Sequence, residues 1–292
     1  MMLLFLPTAP AQNWRFIGGR LFQCYHAYLP ASGEYIYTNF YQPRRKPRLI
    51  YPPSYFRAGV YAPPTFPYIL GKEGAGTIAA LGTNTPPDLK VGDRVAYMAD
   101  SAYAEYTPAA SSSTIPLPSS ISTQTAAASL LQALTAVTLI REAHAVQKGD
   151  WILVTAAAGG VGLWLCQLLK AVGARTIATA SSAEKRELAK KNGAEVTLEY
   201  HEGNRDAFVE EVLKITGGEG VHAVFDSVGK DTFDSSLKVV RRKGSMVSFG
   251  NASGPVTGFA LRYVFQPSAS FLALAYILTV NYYVIVASQP RT

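Results

Sequence analysis

The residues best suited to chemistry in this chain are among its smallest. Ala156-Ala157-Ala158-Gly159-Gly160-Val161-Gly162 follows an apolar run that opens at Trp151, and it contains the form Ala157-x-Gly159-x-x-Gly162. Small side chains at this spacing let the chain turn sharply, let its backbone approach a pyrophosphate, and let a helix pack close to the preceding strand. The N–H groups of that helix's first turn lack intrahelical partners, so they are free to face phosphates. Ala157 stands where the usual pattern has its first Gly, and the bare motif would serve equally as a plain turn. Its surroundings favour the nucleotide reading. Val161, Leu165, Leu168, Leu169 and Val172 recur at three- and four-residue spacing, and Gly173 ends the segment. That is strand, tight turn and helix, the order a dinucleotide fingerprint requires.

The next strand bears on which dinucleotide. Sites that prefer NAD place an Asp or Glu about twenty residues after the glycines, on the adenosine ribose diol. Here the second strand ends in Thr179-Ala180-Ser181-Ser182, with no acid, and Lys185 follows one turn later. A hydroxyl and an ammonium at that place suit a 2′-phosphate, so NADPH is expected over NADH. Glu184 opens a helix and reads as a dipole or capping residue.

Other reactive residues are sparse. His26, His144, His201 and His222 are scattered singly, and no C-x-x-C or H-E-x-x-H spacing occurs, so no metal site is expected. Cys24 and Cys166 make no disulfide scaffold, which suits a reducing compartment and a cytoplasmic location. The net charge of +7 is compatible with a phosphate-bearing ligand, nucleic acid or an ordinary basic enzyme. Arg44-Arg45-Lys46-Pro47-Arg48 reads as a solvated loop in preference to an anion or RNA contact. Met1–Leu6 is apolar but short, lacks a basic flank and is interrupted by Pro7, so a signal peptide is not expected.

These residues need elements to hold them. With 292 residues, 48% hydrophobic and 16% charged, the chain can bury two cores. Residues 7–53 show no sustained period. From Ser54, short strands and turns suggest a β-rich domain, with strands near 68–78, 91–96 and 104–106, and a Ser/Pro-rich connector over 111–122. A helix is expected over Thr125–His144, with Ala126, Leu130, Leu134, Val137 and Ile140 on its apolar face. Strands and helices then alternate: strands at 151–155, 175–180, 195–200, 221–226 and 245–249, and helices from 161, at 183–191, 205–216 and 232–240. Such alternation predicts a doubly wound parallel sheet with ligands beyond the carboxyl ends of its strands. Phe271–Ala287 is almost wholly apolar. It is at the short limit for a membrane helix, and its β-branched and aromatic residues favour strand, so a membrane role is not expected.

Together these residues resemble the zeta-crystallin-like quinone oxidoreductases, zinc-free members of the medium-chain dehydrogenase/reductase superfamily. The resemblance runs from about Ser54 to Gly258. It is carried by Ala156–Gly162, by Phe225-Asp226-Ser227-Val228-Gly229, and by Met246-Val247-Ser248-Phe249-Gly250-Asn251. It implies an α/β fold: a Rossmann doubly wound parallel sheet plus an incomplete GroES-like β-rich domain. The expected division is a GroES-like catalytic domain over 1–122, an NADPH-binding domain over 123–258 and an apolar tail over 259–292. It implies NADPH-dependent reduction of quinones or enone-type carbonyls, by hydride or single-electron transfer without a metal, usually in a homodimer. Thr135, Ala158, Gly159, Gly160, Val161, Gly162, Ser181, Lys185, Tyr200, Ser227, Phe249 and Gly250 would bind the coenzyme. Tyr55 and Tyr51 would be catalytic, with Tyr61 near the substrate. Ile50-Tyr51 stands where the family carries Asn-Tyr, and the segments before Pro47 and after Gly258 depart from the family's ends. The alternatives are a protein that binds AU-rich RNA on the same fold, or a catalytically impaired remnant that binds coenzyme only.

Overall fold

The computed structural model of the chain describes residues 14–17, 20–23, 35–40, 56, 68–82, 86–257, 271–277 and 282–288. The chain divides into two compact units, Met1–Leu131 and Gln132–Thr292.

In the first unit, β1 (Trp14–Ile17) and β2 (Arg20–Gln23) form an antiparallel pair. A separate five-stranded antiparallel sheet holds β3 (Tyr35–Phe40), β4 (Glu73–Leu81), β5 (Arg94–Met98), β6 (Tyr106–Ala110) and β7 (Thr114–Pro116), in the order β6-β3-β4-β5-β7. The start of β4 is small because β5 lies against it: a Cβ on Gly74 would stand 2.6 Å from Cζ of the fully buried Tyr97. Two expectations need correcting. The strand expected at 104–106 begins only at Tyr106. The expected connector contains β7, whose Pro116 is tolerated because β7 is an edge strand.

The helix expected over Thr125–His144 is broken. Ser122 caps α1 (Thr123–Ala127) by accepting the Thr125 N–H at 3.0 Å. A second helix, α2 (Leu130–Thr138), starts afresh because the buried Glu73 carboxylate of β4 accepts the Leu131 N–H at 2.6 Å. It runs into a π-helical turn at Leu139–Ala143. The break rotates the buried face to Gln132, Thr135, Ala136, Leu139, Ile140 and Ala143. Leu134, expected on the apolar face, is 46% exposed.

The second unit alternates as its sequence periods require. β8 (Trp151–Val154) leads to α3 (Gly160–Val172) and β9 (Arg175–Thr179). Then come α4 (Ala183–Lys191), β10 (Val196–Leu198), α5 (Arg205–Ile215), β11 (Val221–Asp226), α6 (Phe233–Val239) and β12 (Val240–Ser248). Gly173, left-handed at φ 83°, caps α3 at the expected place. The sheet order is β10-β9-β8-β11-β12, all parallel, so the chain order reverses between β8 and β11. Alternate residues of the strands feed two cores. Ile152 and Val154 pack with Leu165, Leu169, Ala178 and Phe225 on one face. Leu153 and Ile177 pack with Phe208, Val212, Phe233 and Met246 on the other. Each fully buried side chain of this size contributes about 1.5–3 kcal/mol. Helices therefore cover both faces, which is the doubly wound arrangement. Val172, expected on the buried face of α3, is exposed.

β12 begins five residues earlier than the sequence suggests. Val240 pairs with Val221, and the register then shifts to Ser245 opposite Ala223, with Lys243 at φ 63° within the extra residues. The apolar tail adds β13 (Phe271–Ile277) and β14 (Tyr282–Ser288), an antiparallel hairpin whose β14 pairs with β12. Among the described residues no helix is long and apolar enough to cross a membrane.

Candidate functional site

The small-residue turn lies at the carboxyl end of β8, beside the point where the strand order reverses. Crevices at such points are where open α/β sheets bind ligands. Ala156 takes a left-handed conformation at φ 47°, and the Ala157 N–H donates to the Thr179 carbonyl at 2.9 Å. Gly159 caps α3 without a side chain, and the Leu163 N–H donates to its carbonyl at 3.0 Å. The amides of Gly160, Val161 and Gly162 come before this first helical bond and have no acceptor within the helix. A Cβ on Gly162 would stand 2.6 Å from both Cα and O of Ala157, so the helix abuts the turn there. Gly159 and Gly160 are exposed. The turn is thus closed on its inner side and open at the helix end, where the helix dipole favours an anion. The donors, the exposure and the missing side chains fit a pyrophosphate.

A buried carboxylate, which the sequence marks only as sheet edge, braces this end of the sheet. Asp226 is fully buried at the end of β11. One of its oxygens accepts Thr155 Oγ1 at 2.9 Å, Thr232 Oγ1 at 2.9 Å, and the N–H groups of Val228 at 2.8 Å and Gly229 at 3.3 Å. Thr155 Oγ1 accepts the Ser227 N–H at 3.0 Å. Burial pushes the Asp226 carboxyl above its ordinary range, and these donors pull it back. Two further loop ties follow. The Phe249 N–H donates to the Asp226 carbonyl at 2.8 Å, and a Cβ on Gly250 would stand 2.7 Å from the Ser227 carbonyl oxygen. Ser227, Phe249 and Gly250 are held together in this way.

The parallel strands bring Ala158–Gly162, Ser181, Ser227, Phe249 and Gly250 to one edge. Thr135 is buried in α2, on the face it shares with Gln132, whose Cγ would lie 3.1 Å from a Cβ on Gly160. Ser181 and Lys185 are exposed, at the end of β9 and in the first turn of α4. The Tyr200 hydroxyl donates to the Asp231 carbonyl at 2.6 Å, and its ring stands edge-on to Phe208 with centroids 4.9 Å apart. Tyr51, Tyr55, Tyr61 and the Arg44–Arg48 cluster lie outside the described residues.

Cys166 is fully buried in α3, and burial pushes its thiol up to about 12, so it is an inert core residue. His144 and His222 flank Asp150 at the opposite end of the sheet, with His222 Nδ1 accepting the Trp151 N–H at 2.9 Å. Among the described residues no three His, Cys, Asp or Glu side chains are grouped so as to hold a metal ion.

A parallel sheet in this order, helices on both faces and an open helix N-terminus at the switch point define a Rossmann-type dinucleotide-binding domain. Family models agree: that for zinc-binding dehydrogenases matches residues 160–282, and that for the alcohol dehydrogenase GroES-like domain matches 51–123. The chain is 48% identical over 217 residues to the probable quinone oxidoreductase of Schizosaccharomyces pombe, covering 74% of this chain and 64% of that protein. Among solved structures, it is similar to a Pseudomonas syringae pv. tomato quinone oxidoreductase, with a TM-score of 0.78 and 38% identity over 85% of this chain and 74% of that one. Escherichia coli quinone oxidoreductase, solved in complex with NADPH, gives a TM-score of 0.74 and 39% identity over 81% and 72% of the two chains. The chain belongs to the quinone oxidoreductases of the medium-chain dehydrogenase/reductase superfamily. It spans 64–67% of the length of four curated quinone oxidoreductases that it matches.

Proposed function

We propose that this chain binds NADPH and reduces quinones or related conjugated enones. The observation that carries the reading is the start of α3, where Gly159 and Gly160 are exposed, the amides of Gly160, Val161 and Gly162 precede the first helical bond, and the inner side is closed against Ala157. These amides would hold the pyrophosphate. Ser181 and Lys185 would meet the 2′-phosphate, with no carboxylate at the end of β9 to oppose it. The Tyr200 hydroxyl is engaged by Asp231, so Tyr200 would border that phosphate by its ring. Thr135, Ser227, Phe249 and Gly250 would line the path of the remaining nucleotide, and Asp226 would keep the last three in place. When bound, the coenzyme supplies the hydride or electron. Tyr55 and Tyr51 would orient the carbonyl by hydrogen bonds and supply the proton that completes its reduction. The NADPH complex of the Escherichia coli relative supports this reading.

The test is NADPH consumption, followed optically, against a panel of quinones and 2-alkenals. Oxidation is expected with quinones, and with NADH at a rate about tenfold lower or less, the size of one charge-assisted phosphate contact. No oxidation of NADPH with any member of the panel would contradict the proposal.

A further inference from the structure

The end of β10 carries a carboxylate that a 2′-phosphate site should not tolerate. β9 and β10 are parallel neighbours, so Glu199 at the end of one strand stands at the same edge as Ser181 at the end of the other. The two ends are tied, since the Ala180 N–H donates to the Leu198 carbonyl at 3.3 Å. A bare carboxylate at this corner would repel a phosphate and would accept hydrogen bonds from a ribose diol, as the acidic residue of an NAD site does.

Arg186 answers that charge. Its Nη2 lies 3.1 Å from Glu199 Oε2, and its Nη1 donates to the Ala180 carbonyl at 3.2 Å. The guanidinium therefore bridges both strand ends, one residue before Ser181 and one residue before Tyr200. Its side chain is 21% exposed, whereas Glu199 is 48% exposed. The planar fork of Arg suits such a bridge, and Lys would not reproduce it.

We propose that Arg186 is a specificity-determining positioning residue: by pairing with Glu199 it keeps that carboxylate from acting as a ribose acceptor, and so sets the preference for NADPH over NADH. This inference rests on the NADPH reading above. Among the described residues, Lys185 and Glu184, both exposed in the first turn of α4, and Asp231, whose carbonyl accepts the Tyr200 hydroxyl, also carry charge near this corner.

The experiment is fluorescence titration of the full chain with NADPH and with NADH, two ligands that differ only in the 2′-phosphate. Arg186→Met keeps the aliphatic stem and removes both bridges. It is expected to weaken NADPH about tenfold while NADH binds as tightly as to the parent or up to about threefold tighter, since the released carboxylate repels the phosphate and accepts from a ribose diol. Adding Glu199→Gln to Arg186→Met should restore NADPH affinity to within about threefold of the parent. A merely structural defect would weaken both coenzymes together and leave their ratio unchanged. If Arg186→Met fails to fold, Glu199→Gln alone decides the matter: it should raise the NADPH-to-NADH affinity ratio by about threefold or more. A ratio unchanged by Arg186→Met, a double variant no better than the single, or a ratio unmoved by Glu199→Gln alone would each overturn the role of Arg186. A parent chain that binds neither coenzyme, or binds both equally, would instead remove the NADPH reading itself.

Discussion

Asp226 sits in an environment at odds with its chemistry: a carboxyl group with no exposure, at the end of a core strand. Its folded-state pKa is raised by burial above the ordinary carboxylate value. Folding therefore takes up a proton between the ordinary value and the raised one, and the stability this contributes is full at acid pH and lost as pH rises through the raised value. Urea denaturation across pH, wild type against Asp226→Asn, should show the stability difference moving against the wild type as pH rises from the carboxylate range. A difference that is constant, or that moves the other way, would contradict this. The Asn amide reproduces the acceptor and donor edges of the protonated carboxyl, so at low pH the variant should lie within about 1 kcal/mol of the wild type. None of this could be read from the sequence, because Thr155 lies 71 residues from Asp226 and their bond is a product of the sheet. Gly162 is the opposite case. The spacing of small residues carries its own reason, and the contact with Ala157 spans only five positions along the chain.

At the scale of elements, periodicity located α4 over Ala183–Lys191 and β11 over Val221–Asp226 because their patterns are local. It missed what distant partners impose. Glu73 divides one expected helix into two, and pairing with Val221 draws β12 back to Val240. β3 was illegible in a stretch without a period, though it pairs with both β4 and β6. The C-terminal hairpin is the element most open to direct test. β14 lies between β12 and β13, so the amide of Val284 faces a neighbour whichever way it points. Val284→Pro removes that donor and leaves a carbonyl unpaired, and it should destabilise the fold by about 1–3 kcal/mol in urea denaturation. No change in the denaturation midpoint would mean that the hairpin does not brace β12.

For the molecule as a whole, the fold class was legible because alternating periods admit few architectures, and right-handed crossovers leave fewer still. The coenzyme edge was legible for the same reason, since parallel strands carry their loops to one side. What lay beyond the sequence was the means of holding that edge rigid: Asp226 beneath the loops, and Arg186 across two strand ends. Everything functional depends on whether the open end of α3 receives a pyrophosphate. The most direct measurement is fluorescence titration with NADPH of the wild-type chain and of Gly162→Val, whose side chain would collide with Ala157 backbone. The account expects saturable binding by the wild type, and a loss of about tenfold or more in the variant as the helix end is pushed off its turn. A folded wild-type chain that shows no saturable binding of NADPH, or a variant that binds as tightly as the wild type, would contradict it.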